Sequence, residues 1–189
     1  MSKASDFMPG EPAASTSGDY FRLKDLKDYK DQTGRIRIVE PFITGFEGWL
    51  EGNKPVRSQT EEFPPGTKWK VENGKKQEPK RFWATIVWNV TKERFQVWSF
   101  TQGTIYRQLK ELLDSEDWGL LTEYDVTIKK SGSGMDTEYT VLPCPKKVLS
   151  PSATKEWAAI KETWTGLPAL YNNGHPLAAF GDGDEPLPF

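Results

Sequence analysis

The chain has 189 residues and carries 25 Lys plus Arg against 27 Asp plus Glu, a formal net charge of −2. That size fits one ordinary domain with extensions, and the charge excludes a uniformly basic protein that coats nucleic acid by charge alone. The charge is unevenly placed, at −2 over residues 1–19, +3 over 20–150 and −3 over 151–189, so the middle is mildly basic between two acidic ends.

Residues 1–19 are Ser, Ala, Pro, Gly and Thr with only Phe7 and Met8 to bury, which predicts a flexible arm. The globular part is expected over 20–150, because Pro143-Cys144-Pro145-Lys146-Lys147 closes the last strand-like segment and Ser150-Pro151-Ser152 opens a new composition. Arg35 to Ile43 alternates and is interrupted at Pro41, as in a first strand that reaches the sheet edge. Thr44 to Lys80 holds Gly45, Gly48, Gly52, Pro55, Pro64, Pro65, Gly66 and Gly74 and reads as one long functional loop. Phe82 to Val90 and Phe95 to Thr101 are aromatic and β-branched and form a hairpin around Thr91-Lys92-Glu93-Arg94. Thr101 is placed to cap a helix to Asp114, with Ile105, Leu109, Leu112 and Leu113 at helical spacing. Tyr124 to Lys130 and Thr137 to Leu142 flank Ser131-Gly132-Ser133-Gly134 as a second hairpin.

This order predicts a mainly β chain: a five-stranded Greek-key OB-fold barrel with one helix between strands three and four. A mixed sheet with one covering helix has the same element order. Period-two alternation puts Phe82, Ala84, Ile86, Trp88 and Val90 on one face of the second strand, and Arg81, Trp83, Thr85, Val87 and Asn89 on a wetter face. The third strand keeps apolar groups on both faces, so its core side is left open. Trp88, Trp98 and Trp118 are expected in the core.

Cys144 and His175 are the single residues of their types, which leaves no intramolecular disulfide and no His/Cys zinc cluster, so a reducing cytoplasm is expected and no cofactor or metal is implied. No apolar run approaches the ~20 residues of a membrane span, and Met-Ser-Lys-Ala-Ser-Asp lacks the start of a secretory signal. The inventory also lacks phosphate-loop, nucleophile-elbow and zinc-protease motifs, so no enzyme is expected. A metal-dependent nuclease built on Asp125, Asp136 and Glu138 is the enzymatic rival, although these positions suit solvated acids.

From Lys54 to Arg81 eight basic residues face four acids, a local charge of +4, interleaved with Phe63 and Trp69 and flanked by Trp49, Phe82 and Trp83. Cations that attract phosphate, mixed with flat rings on which unpaired bases stack, suit single-stranded nucleic acid. The expected binding residues are Trp49, Lys54, Arg57, Lys80, Arg81 and Trp83, joined by Lys129, Lys130 and Tyr139 beside the second hairpin turn. Trp69 suits a ring that pins the loop. Residues 151–189 read as a tail with a short amphipathic helix over 154–165, from Trp157, Ile160, Lys161 and Trp164. At 181–189, Asp182, Asp184 and Glu185 precede Pro186, Leu187, Pro188 and Phe189, an acidic lead to an apolar end that fills a pocket rimmed by Arg or Lys.

Asp-Glu-Pro-Leu-Pro-Phe at 184–189 resembles the acidic-hydrophobic tip of bacterial single-stranded DNA-binding proteins. Over about 35–147, Lys54-Pro55-Val56-Arg57, Phe82 to Asn89, Phe95 to Gln102, Asp117-Trp118-Gly119 and Gly134 to Val141 resemble bacteriophage single-stranded DNA-binding proteins with an OB fold. The resemblance implies coating of single strands in phage DNA replication, recombination or repair in the host cytoplasm, self-association on DNA, and recruitment of replication or recombination proteins by the tip. The rival readings are a replisome or virion protein-interaction adaptor and a single-stranded RNA binder.

Overall fold

The computed structural model describes residues 20–177. Its strands are β1 (Tyr20–Phe21), β2 (Thr33–Ile38), β3 (Ile43–Leu50), β4 (Lys54–Ser58), β5 (Val71–Glu72), β6 (Lys75–Lys76), β7 (Lys80–Asn89), β8 (Arg94–Phe100), β9 (Asp125–Ser131) and β10 (Glu138–Pro143). The helices α1 (Gly103–Asp114) and α2 (Pro151–Thr163) are joined by 3-10 turns at Leu23–Asp28, Lys30–Gln32, Gly134–Asp136 and Leu167–Asn172. The sheet runs β1-β8-β7-β2-β9-β10, with β3 bridging β7 and β4, and only the β1–β8 pair is parallel. The protein is therefore mainly β with a mixed sheet. Among the described residues β8 and β10 do not pair, and α1 lies against β10 through Gln108, whose side chain donates to Tyr139 O at 3.0 Å and accepts from Val141 N at 2.8 Å.

Several elements depart from their sequence expectation. The first strand is two: β2 ends at Ile38, the chain turns through Pro41, which has no N–H to donate, and β3 begins at Ile43. The supposed loop from Thr44 to Lys80 contains most of β3, all of β4 and the β5–β6 ladder. Its glycines there serve close packing rather than chain breaking: a Cβ at Gly45 would collide with Ser58 O, and one at Gly48 with the Trp69 ring. The first long helix starts at Gly103, after Gln102 and not Thr101.

The central β7–β8 ribbon is covered on both sides, so beyond the exposed Lys80 and Arg81 neither face of β7 is wet. One face enters a core of Ile36, Ile38, Val87, Trp98, Phe100, Ile105, Leu109, Val126 and Ile128, with Trp83 and Trp118 packed at its border. The other carries Phe82, Ala84, Ile86, Phe95 and Val97 against Ala153, Ile160, Leu167, Leu170 and Leu177. Trp88 is only half-buried, on this second side.

The second core extends the folded body past the expected boundary at 150. The C-terminal helix covers Pro151–Thr163, not 154–165. Ser150 Oγ accepts from Ala153 N at 3.3 Å, and Pro151 opens the first turn, where its missing N–H is harmless. Trp157 stacks on Phe95 at 5.0 Å, and Tyr171 Oη donates to Thr44 O at 2.6 Å. A charge cluster centred on the buried Arg37 and Asp125 fixes the intervening stretch: Arg37 donates to Asp125 Oδ1 at 2.7 Å and to Lys147 O at 2.9 Å, while the partly exposed Arg35 holds Asp125 Oδ2 at 2.8 Å. The arm at 1–19 and the tip at 181–189 lie outside the described residues.

Candidate nucleic-acid interface

At the N-terminal half of β7 the sheet branches into β3 and β4, and this branch gathers the basic residues. Glu47 and Phe46 of β3 pair with Lys80 and Arg81, and the far edge of β3 pairs with β4. Residues 67–77 return alongside: Glu51 N donates to Lys68 O at 3.0 Å, Lys70 N to Trp49 O at 2.8 Å and Gln77 N to Lys70 O at 2.9 Å. Lys54, Lys68, Lys75, Lys76, Lys80 and Arg81 are thereby held on one projection, all exposed and none in an ion pair among the described residues. Trp49, opposite Pro55, is 38% exposed beside them.

Other members of the cluster have structural partners. Arg57 lies across from Glu47 and binds its Oε2 at 2.7 Å, with both side chains nearly buried and the guanidinium 5.6 Å from the Phe82 ring. Its charge is matched before any phosphate arrives. Trp69 rests on Gly48 and meets Phe63 edge-on at 4.9 Å, so it pins the loop. The Arg81 guanidinium sits 4.7 Å from the Phe46 ring, which orients the charge without neutralising it.

The nine expected binding residues do not converge. Trp49, Lys54, Arg57, Lys80 and Arg81 share the projection. Lys129 and Lys130 lie on β9, across from Thr140 and Tyr139, and Lys129 also pairs with Thr33 at the start of β2. The β2–β7 pairing begins at Asn89, so the length of β7, about 30 Å of strand, separates the two groups. Tyr139 is half-buried, and burial raises its phenol pKa above the ordinary value.

Trp83 belongs to neither group. Its ring stacks on Tyr106 of α1 at 4.5 Å and 13° and on Phe100 at 5.8 Å and 29°. It lines a groove beside α1, an arrangement hidden from the sequence because it depends on where the helix docks. Tyr106, 38% exposed, is a surface aromatic that the sequence reading missed. The face of β7 expected to be the wetter one is covered from Trp83 onward by the first core, and the opposite face is filled by α2 and the turn after it.

Asp125, Asp136 and Glu138 are also apart. Asp125 is buried between two arginines at the start of β9, whereas Asp136 and Glu138 are exposed beyond its far end. No group of three or more His, Cys, Asp or Glu suited to a metal occurs among the described residues, and no helix there is long and apolar enough to cross a membrane. Comparison with protein-family models, curated proteins and solved structures gave no match.

Proposed function

We propose that this protein is a non-catalytic, sequence-tolerant binder of single-stranded DNA, and that the β3–β4 projection with the first residues of β7 is its binding surface. The observation that carries the reading is the collection of six exposed, un-paired cations beside the exposed Trp49 ring. Mobile lysines attract the phosphates with little demand on sequence, and an indole offers the same stacking surface to every base. A duplex keeps its bases stacked internally and gains only the charge term.

The strand order supports an OB-type architecture as the finer reading of the fold. The ladder β8-β7-β2-β9-β10, with α1 between β8 and β9, follows the order of that barrel, and β3 with its hairpin corresponds to the extended loop between its first two strands. The barrel's usual binding face is occupied by α2 and its following turn, which favours a track displaced onto the projection. The proposed role is protection of single strands during phage DNA replication, recombination or repair, with the 181–189 segment recruiting partner proteins. Titration of tryptophan fluorescence with oligo-dT and an equal-length duplex tests the binding step. Preferential response to the single strand is expected. Equal response to both polymers, or none, refutes the assignment.

A further inference from the structure

Helix α1 carries its charges in an order that opposes its own dipole. Its two bases, Arg107 and Lys110, precede its two acids, Glu111 and Asp114, and Glu116 and Asp117 extend the negative end. A helix is positive at its N-terminus and negative at its C-terminus, so the opposite order would suit α1 standing alone. All four side chains are exposed, and the one ion pair among them, Lys110 with Asp114 at 2.6 Å, has the less favourable orientation, base before acid. Beside these charges Tyr106 and Leu113, two turns apart, are 38% and 45% exposed. With the exposed Leu120 they stand at the mouth of a groove of about 380 Å³ lined by Phe42, Trp83 and Phe100.

We propose that α1 is the contact helix of a two-fold dimer of this chain, in which the same face of a second copy closes the groove. A two-fold axis across the middle of α1 sets Tyr106 against Leu113 of the second copy and Leu113 against its Tyr106, so each exposed ring meets an aliphatic side chain. The same reversal lays the basic half of each helix along the acidic half of the other, with Arg107 opposite the turn that holds Glu111 and Asp114 of the second copy. Segregated signs make this face complementary to its own reversed copy. A parallel register would instead stack base on base and acid on acid. The arrangement also gives the acids at the negative end of α1 a cationic neighbour that their own helix does not supply.

The groove itself suits side chains better than a phosphate backbone. Its charged lining residues are Glu40 and Lys110, and both are engaged, Glu40 with Lys161 at 2.8 Å and Lys110 with Asp114. The remaining walls are apolar and aromatic. The contact is limited to one 12-residue helix, about 18 Å long, and the turn at Leu120. An interface of that extent falls below about 1,200 Å² in total, the class of reversible association, which sets the expected dissociation constant at roughly 1–100 µM. The dimer needs no nucleic acid. Head-to-tail self-association along a strand has no natural end, whereas a two-fold contact uses the same face of both copies and stops at two.

The test is sedimentation equilibrium of the full chain without nucleic acid, over about 1–500 µM protein, a range that brackets the expected constant. The native mass should rise from one copy to two and no further. Two charge variants follow: Arg107→Glu with Lys110→Glu makes the face wholly acidic, and Glu111→Lys with Asp114→Lys makes it wholly basic. Each alone should associate at least about tenfold more weakly than native, and an equal mixture of the two should recover the dimer. All four positions are exposed and the second variant brings bases to the negative end of the helix, so both should fold, as circular dichroism melts will check. Leu113→Glu, at a half-exposed position, should abolish the dimer without changing the order of the other charges. Native protein that stays monomeric at the highest concentration, or that grows beyond two copies, overturns the proposal. So do charge variants that dimerise as the native chain does, or folded variants that remain monomeric when mixed.

Discussion

Replacing Lys80 and Arg81 together by alanine tests the assignment of the cationic projection most directly. Both are exposed, both open β7, and neither has an ion-pair partner among the described residues. If Lys54, Lys68, Lys75, Lys76, Lys80 and Arg81 each displace one counterion from a single strand, log affinity against log salt has a slope of about −4. Affinity then falls about 300-fold between 50 and 200 mM salt. Removing two of the six brings the slope to about −3 and the fall to about 50-fold. The assay is fluorescence titration with oligo-dT at four or more salt concentrations, with native protein, the double variant and a Lys129→Ala/Lys130→Ala control. The control residues lie at the other end of the ladder, so their replacement should leave the slope unchanged. A native slope shallower than about −1, or a slope insensitive to loss of Lys80 and Arg81, refutes the charge argument. A control that shifts as far as the test variant moves the track to β9–β10.

Trp49→Ala should weaken single-strand binding by about 1–3 kcal/mol, roughly 5- to 150-fold, and leave the thermal midpoint nearly unchanged because the ring is already exposed. Binding equal to native would remove Trp49 from the site. Leu170→Ala should lower unfolding free energy by about 2–5 kcal/mol in urea melts, since Leu170 is fully buried in the second core. A change below about 0.5 kcal/mol, the range of surface substitutions, would mean that the segment after residue 150 does not dock. Tyr124 is buried with an unpartnered hydroxyl, and burial, helped by Glu123, raises its pKa above the usual 10. The unfolded chain ionises first, so this stability is complete below pH 10 and is lost as the pH rises past it. Tyr124→Phe should reduce that alkaline loss in urea melts between pH 8 and 11, with Tyr139 and Tyr171, also raised by burial, retaining part of it. An identical alkaline profile in the variant would reject the attribution.

The β7–β8 and β9–β10 hairpins and the helix between β8 and β9 were legible because hydrophobic period and turn chemistry are local properties. The errors came where a residue's meaning depends on distant partners. Gly45 and Gly48 look like chain breakers until Ser58 and Trp69 approach them. The alternation in β7 separates two sets of residues, but no local pattern says that α2, more than sixty residues on, will cover the set of Phe82, Ala84 and Ile86. The same limit applies to the site. Charge density singles out the segment from Lys54 to Arg81 as a candidate, while the Glu47–Arg57 pair, which depends on the β3–β4 register, withdraws Arg57 from the available cations. Trp83 reads in the sequence as a ring for base stacking, and helix docking gives it Tyr106 as a neighbour.

The parallel β1–β8 pair sets Tyr20 beside Val97, and the Tyr20 ring meets His175 edge-on at 5.0 Å. The two limits of the folded body therefore adjoin, and the flanking segments issue from neighbouring points on one side. Such proximity makes the body a ready substrate for circular permutation: a short linker from Leu177 to Tyr20 closes the ring, and new termini can be opened in the exposed Thr91–Glu93 turn.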